Sequence, residues 1–555
     1  MPVSVSRHGD KQRAVIRGQF RGWLPDYPPD ELPPDAFSDV QNVEVLRGRV
    51  RKMRGYNEWH EGIAQLQNAD ASAAVPRALA NYEQYDGTLY GVVISDKRAW
   101  KSNGDTWSLL TAASLTGGES VSWTTMDDIL IWTNGVDAPR KWDGGANDAA
   151  LGGSPVVCDI VCHWDDRLWL ASTTEGGGTK YAYRLWFSEV GDPEDWTGSN
   201  TIDLLSVTDP PQFGGIKAVA PMGQQLLIYL ENAIWSVTRL TDAPYYQARP
   251  IVEGVGAVNH RAVCVVPEGH IFVGPTDVYY WNGAGAAVSV TKGIRSHLQA
   301  RLAPAFYDKV QAVWMKEQDK VLVGISANGV AMDTLYVLDR REGQWSLMDG
   351  VAFSALGYLT NTDEVTWENF PGPGELATNY DGDLIEWVED TDPDNSYASD
   401  IVDLTWDDFT DTQFTRFAAG HHTGYVYVLY NPDGEETGPE VEYNRAGAAY
   451  TGKVVFGYQD FGRPDTVKRL LRIMPLNLQQ GETDSLQLYI GTCDNPYQTP
   501  TWDGPHAFPM DTTTEPWLFV DVRGRYLVFR VETTASDAPW SLSGLVVDFV
   551  LQGGS

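Results

Sequence analysis

Any chemistry in this chain would have to come from its carboxylates, thiols and imidazoles. Carboxylates occur as adjacent pairs at Asp127-Asp128 and Asp165-Asp166. Glycoside hydrolysis needs two carboxyls about 5 to 10 Å apart across a cleft, whereas these pairs sit between apolar runs, where turns between strands are expected. Cys158 and Cys162 lie four apart with His163 next. A structural zinc site wants a second ligand pair, which is missing, and haem attachment needs a spacing one residue shorter. The four cysteines, Cys158, Cys162, Cys264 and Cys493, therefore read as small core residues of a reducing compartment. Asp390-Thr-Asp-Pro-Asp-Asn395 begins like a calcium loop, but Asn395 stands where glycine is required and Ile401 where the bidentate glutamate belongs. That excludes an EF-hand and leaves only a loosely held cation. His421-His422 is the one histidine pair, with no nucleophile beside it in sequence. There is no Gly-x-Ser-x-Gly elbow, His-Glu-x-x-His, P-loop or dinucleotide fingerprint. No catalytic residue, cofactor site or metal site is expected.

The elements that would position such residues are short strands. Ile216 to Trp235 and Ala262 to Trp281 repeat one pattern of strand, polar turn, strand, polar turn and strand ending in Trp. Further copies run over Tyr82–Trp100, Met126–Trp142, Trp164–Ser188 and Val310–Leu338, and a weaker one over Ala377–Trp387. One such meander cannot bury its apolar face alone, so the copies must stack. About seven units predict an all-β chain with a β-propeller over 76–395. Propellers host sialidases, and Ser102-Asn-Gly-Asp-Thr-Trp107 resembles their Asp box. Its Asp and Gly stand in reversed order, and the stretch reads as an ordinary turn.

Residues 1–75 differ from the repeats. Trp23-Leu-Pro-Asp-Tyr-Pro-Pro-Asp-Glu-Leu-Pro-Pro34 is too proline-dense for a core of its own. A hairpin over Ala36–Tyr56 follows, turning at Arg47-Gly48, then a polar, alanine-rich linker or short helix at 61–75. Arm and hairpin together suit docking onto another domain or subunit. Thr291–Leu302 predicts a helix capped by Thr291, with Ile294, Leu298 and Leu302 on one face. From 396 to 555 the repeat gives way to alternating strands at Tyr425–Tyr430, Lys468–Met474, Ser485–Ile490, Arg525–Glu532 and Leu545–Leu551. These predict a β-sandwich-like domain with an excursion around 431 to 465.

The 555 residues include 75 Asp and Glu against 41 Lys and Arg, a formal charge of −34. Proteins that grip phosphates are basic, so specific nucleic-acid binding is not expected. An acidic wall past which DNA slides is compatible with the balance. The start carries no apolar run of signal-peptide type, and no stretch approaches the roughly 18 apolar residues of a spanning helix. Synthesis in a cytoplasm is expected, with action there or in something assembled there.

Several stretches resemble the tail nozzle proteins of short-tailed bacteriophages, also called tail tubular or packaged-DNA stabilisation proteins. They are the proline-rich arm followed by Gln41-Asn42-Val43, Gly48-Arg49 and Arg54-Gly55-Tyr56; Phe187-Ser188 with Gly191-Asp192-Pro193-Glu194-Asp195-Trp196; Gly254-Val-Gly256 with Ile271-Phe272-Val273 and Val278-Tyr279; and Trp540 to Asp548. The resemblance implies a structural virion protein, not an enzyme. It implies a homo-oligomeric ring, a hexamer, joined to portal or head-tail adaptor proteins above and contacted by needle or fibre proteins below. Such a ring retains double-stranded DNA and then conducts it without specific binding. Loops at 431–465 and 494–512 are the expected constriction. Two rival classes are a propeller glycosidase or depolymerase acting on host surface polysaccharide and a monomeric carbohydrate- or protein-binding propeller.

Overall fold

The computed structural model describes residues 3–8, 11–17, 20–59, 65–103, 106–112, 115–198, 200–205, 214–242, 244–363, 376–378, 384–386, 412–429, 445–446, 448–476, 478–480, 486–508, 517–533 and 539–552. Five successive four-stranded antiparallel meanders form blades one to five of a propeller. Their first strands are Pro76–Glu83, Ser122–Met126, Val157–Trp164, Ile216–Met222 and Val263–Val266. The turns explain the acidic pairs. Asp127 and Asp128 have φ of 48° and 59°, and Asp165 and Asp166 have 52° and 58°. Each pair forms a two-residue loop whose positive φ values match the twist of the flanking strands. Arg47-Gly48 turns its hairpin in the same way, as expected, between Leu46 and Arg49.

The aromatic ends of the meanders share a device. Trp142 Nε1 donates to Gly145 O at 2.8 Å and Trp281 Nε1 to Gly285 O at 3.1 Å. Both indoles are buried while their one polar atom is paired, which favours Trp at these positions.

Blades six and seven are less regular. Gln311–Met315, Lys320–Ile325 and Met332–Asp339 begin blade six, and its fourth strand is the first part of the 20-residue strand Gln344–Asp363. Beyond Phe353 that strand leaves blade six and pairs with Thr412–His421. Val426–Leu429 and then Tyr56–Glu58 complete blade seven. An N-terminal strand thus closes the last blade at its outer edge.

Closure is visible in the core. Apolar clusters lie between blades one and two (Tyr82, Ile94, Trp132), two and three (Ile131, Val161, Leu170), three and four (Trp169, Ile228), four and five (Tyr229, Phe272), six and seven (Leu335, Phe353, Phe417), and seven and one (Leu359, Val93). Blades five and six meet through Ile271, Val273, Ala312 and Val323. Each fully buried Leu, Ile or Phe side chain contributes about 1.5–3 kcal/mol, so these seams hold the disc together.

Two five-stranded sheets form the β-sandwich. The first orders Val3–His8, Lys11–Arg17, Gly544–Gln552, Val467–Leu476 and Leu518–Gly524; the second orders Phe37–Gln41, Gly452–Phe456, Tyr526–Thr533, Gln487–Cys493 and Thr501–Ala507. Alternation points Leu470, Ile473, Val547 and Phe549 into the core with Leu488, Ile490, Phe529 and Val531.

Several expectations change. Residues 1–75 are not a separate arm, because their strands belong to the sandwich, to the blade-six sheet and to blade seven. The proline-dense stretch packs into the common core through Trp23 and Leu32 rather than standing apart. Over its described residues, the 61–75 segment is a non-helical turn, with Leu66 N bonded to Gly424 O. Of the unit expected at Ala377–Trp387, residues 379–383 and 387 lie outside the described residues, and the described part joins none of the seven blades. Leu376–Thr378 pairs only with Leu384–Glu386 among the described residues. The strand expected at Tyr425–Tyr430 supplies, through Val426–Leu429, blade seven rather than the sandwich, so the propeller runs past 395 to Leu429. The helix covers Arg295–Arg301, and Ile294, not Thr291, occupies its N-cap. Thr291 instead donates its hydroxyl to buried Asp277. Ile294, Leu298 and Leu302 are buried as expected.

Candidate functional site

The seven inner strands surround a central channel of about 330 Å³. Each blade contributes to its wall, through Leu79, Ser122, Val161, Ala220, Val263, Gln311 and Leu356 in order. Blades six and seven are joined across it, where Gln311 Nε2 donates to Leu356 O at 2.7 Å and Leu356 N donates to Gln311 Oε1 at 2.9 Å.

At the end where the inner strands begin, a short 3₁₀ turn, His260–Ala262, carries two side chains into the channel mouth. Arg261 Nη1 donates to Arg77 O at 3.0 Å and Ser354 O at 3.1 Å, and its Nη2 donates to Asp308 O at 2.6 Å. Burial, with the neighbouring charge of Arg77 added, lowers the Arg261 pKa to about 10. His260 donates from Nε2 to Val121 O at 2.6 Å, and burial pushes its pKa down to about 4, so it is neutral at pH 7. Outside the lining, Glu119 receives Lys309 at 2.5 Å and Arg77 at 3.4 Å. The opposite end presents His163, Thr124 and Val265. Nothing in the sequence singled out this channel, because its wall is assembled from all seven blades.

The paired carboxylates, thiols and paired histidines of the sequence lie mostly outside this channel mouth. Asp165 accepts from Arg239 at 3.0 Å and from Tyr246 OH at 2.6 Å, fastening blade three to blade four. Asp128 Oδ1 accepts from Tyr85 N at 2.8 Å, fastening blade two to blade one. These carboxylates are committed to seams. In the Ser102–Trp107 stretch, Ser102 Oγ accepts from Trp59 Nε1 at 3.3 Å, and 104–105 lie outside the described residues. Cys158 and Cys162 are free buried thiols whose pKa burial pushes up to about 12. Cys264 is likewise raised to about 12 by burial. His421 and His422 stand together at the start of the blade-seven turn, with ring centroids 4.5 Å apart. His421 bonds Thr423 Oγ1 at 2.6 Å and is pushed down to about 4 by burial and then by the charge of His422. Asp390–Asn395 lies outside the described residues, as do 431–444 and 509–512 of the two expected constriction loops. Among the described residues no group of three or more His, Cys, Asp or Glu converges to hold a metal, and no helix is long and apolar enough to cross a membrane.

The stretches behind the family resemblance have structural duties. Asn42, at φ 54°, is buried where propeller and sandwich meet. Its Nδ2 donates to Thr451 O at 2.8 Å, while its Oδ1 accepts from Asp349 N at 2.8 Å and Arg445 Nη2 at 2.7 Å. In the Phe187–Trp196 loop, Ser188 O accepts from Arg167 at 2.5 Å, and Glu194 takes Lys141 of blade two at 2.8 Å and the backbone of Gly152. A Cβ on Gly256 would stand 1.9 Å from Leu230 O, so that glycine permits blades four and five to close.

No family model and no curated protein matches the sequence. Solved structures similar to it include BamB from Moraxella catarrhalis, at 10% identity and TM-score 0.35 over 70% of this chain and 94% of that one. YCF48 from Cyanidioschyzon merolae is similar at 10% identity and TM-score 0.34, over 67% and 99%. The Pan2 WD40 domain of Neurospora crassa is similar at 8% identity and TM-score 0.34, over 70% and 98%. The chain itself, with its seven four-stranded blades around one channel, is a β-propeller joined to a β-sandwich.

Proposed function

We propose that this protein is a structural subunit of a bacteriophage tail nozzle, which assembles into a ring, a hexamer, that retains and then conducts genomic DNA. The observation that carries this reading is the use made of the residues on which the resemblance rests. Asn42, Glu194 and Gly256 each join one sheet to another, and none of them presents a reactive group. A body of 61.4 kDa stitched in this way suits a load-bearing wall.

The DNA path in this reading lies between copies. The propeller's own channel holds about 330 Å³ and is crossed by Arg261 at one mouth. A duplex, whose major groove alone is about 12 Å wide, does not fit. A lumen bounded by several copies with formal charge −34 each would repel phosphates and leave no sticking points. Partners in this reading are further copies, the portal or head-tail adaptors, and needle or fibre proteins.

Native mass measurement of the purified chain, alone and with a portal–adaptor complex, tests the proposal. A closed ring of several 61.4 kDa copies in either condition is expected. A single-copy mass in both would overturn it.

A further inference from the structure

We propose that the channel mouth between Arg77 and Arg261 is a binding site for a small oxyanion, a phosphate or carboxylate group. This inference is independent of ring assembly.

The sign of the lining comes first. Among the described residues the channel wall includes Arg77, Arg261, His163 and His260, and no Asp or Glu. In a chain with 75 acidic and 41 basic residues, that is the reverse of the overall balance.

The second observation is how these cations are satisfied. The three hydrogen bonds of the Arg261 guanidinium go to neutral carbonyls, those of Arg77, Ser354 and Asp308. They hold the guanidinium in place without cancelling its charge. Arg77 has a buried Nε with no partner, and its nearest carboxylate oxygen, on Glu119, is 3.4 Å away. Lys309 takes the other Glu119 oxygen at 2.5 Å and Asp308 at 2.8 Å. The mouth therefore gathers Arg77, Arg261 and Lys309 against Glu119 and Asp308, which leaves one positive charge over. Burial lowers the pKa of Arg261, with Arg77 adding to the effect. An anion between the two guanidiniums would relieve that repulsion.

A purely mechanical reading makes Arg261 a brace between blades five, one and seven. The brace needs only the carbonyl bonds. It does not account for a wall without carboxylates. The space fits as well: about 330 Å³ lies at the small end of ligand pockets, enough for an oxyanion with several waters at about 30 Å³ each.

The test is calorimetric titration and thermal unfolding of the full chain with inorganic phosphate and, separately, acetate, against sodium chloride at matched ionic strength. Saturable binding with a raised melting temperature is expected for at least one probe, and which probe binds distinguishes phosphate from carboxylate. Arg77→Gln should weaken that binding about tenfold or more. Its melting temperature without the anion should stay near that of the wild type, because the replaced side chain holds only a long contact to Glu119. Arg261→Gln should also lose binding, and Arg77→Gln keeps the test decisive if loss of the brace unfolds that variant. Absence of saturable binding by either anion, or equal binding by wild type and Arg77→Gln, would overturn the proposal.

Discussion

Arg13 and Asp548 are 535 residues apart in the chain yet face each other across adjacent strands, with Nε 2.7 Å from Oδ1 and Nη2 3.0 Å from Oδ2. On the other side of Asp548, Arg472 Nε reaches Oδ2 at 2.7 Å, and both guanidiniums lie over the Trp517 ring. The two ends of the chain are locked into one sheet by a carboxylate held between two arginines. Burial alone would raise the Asp548 pKa, but the hydrogen bonds and charges of Arg13 and Arg472 outweigh it and hold the pKa below the usual value.

Asp548→Asn should therefore destabilise the sandwich by about 1.5–3 kcal/mol. Because the folded-state pKa is depressed, the wild-type contribution is fully present above the unfolded carboxyl value of about 3.9. It drains away as pH falls through the lower folded-state value. The gap between the urea midpoints of wild type and Asp548→Asn should narrow as pH is taken from 7 down to 3. A gap that stays constant with pH would contradict the ion-pair account.

Asn42 joins the two domains through its side chain and adopts a left-handed backbone. Asn42→Gly keeps the backbone and loses the amide, leaving Arg445 and the Asp349 N–H short of a partner at about 1–3 kcal/mol each. Asn42→Ala adds about 1–2 kcal/mol for the left-handed conformation. Calorimetry should show Ala worse than Gly, with the propeller and sandwich melting at separate temperatures in both variants. A single unsplit transition would mean that the domains are coupled elsewhere.

Glu44, on the N-terminal hairpin, is buried against Lys320 of blade six and accepts from Arg51 Nε at 2.6 Å. Burial favours the neutral acid, but Lys320 and then Arg51 outweigh it and lower the pKa. Lys320→Met strips one cation from a buried carboxylate and should cost about 3–5 kcal/mol. Adding Glu44→Gln should recover part of that loss, because no buried charge is then left under-compensated. Denaturant unfolding of the single and double variants measures both, and additive losses would refute the coupling.

The sequence made the regular blades legible because each is local. Asp127-Asp128 and Asp165-Asp166 announce two-residue turns between blade strands that pair with their neighbours, as Arg47-Gly48 does for the N-terminal hairpin. The seventh blade was hidden because its partners are remote. Gln344–Asp363 has no turn signal where it passes from one blade to the next, and the outer strand Tyr56–Glu58 precedes the first repeat. The proline-dense stretch misled for a related reason. Phe20 and Trp23 bury themselves against Phe37 and the helix residue His297, contacts that local periodicity does not reveal. The channel mouth was equally invisible, since Arg77 and Arg261 are 184 residues apart.

The N-terminal strands make truncation informative. Removing residues 1–17 deletes two strands from one sandwich sheet and exposes the flank of Gly544–Gln552, but leaves all seven blades complete. Removing residues 1–58 also takes Phe37–Gln41 from the second sandwich sheet, the outer strand of blade seven and the hairpin beside blade six, uncovering the backbone edges of Gly452–Phe456 and Val426–Leu429. An uncovered strand edge is a template for association with other chains. The shorter deletion should therefore keep a protease-resistant propeller. The longer one should lose protection in blade seven and aggregate. Limited proteolysis with mass mapping distinguishes the two, and a propeller equally protected in both would show that Tyr56–Glu58 is not what closes the ring of blades.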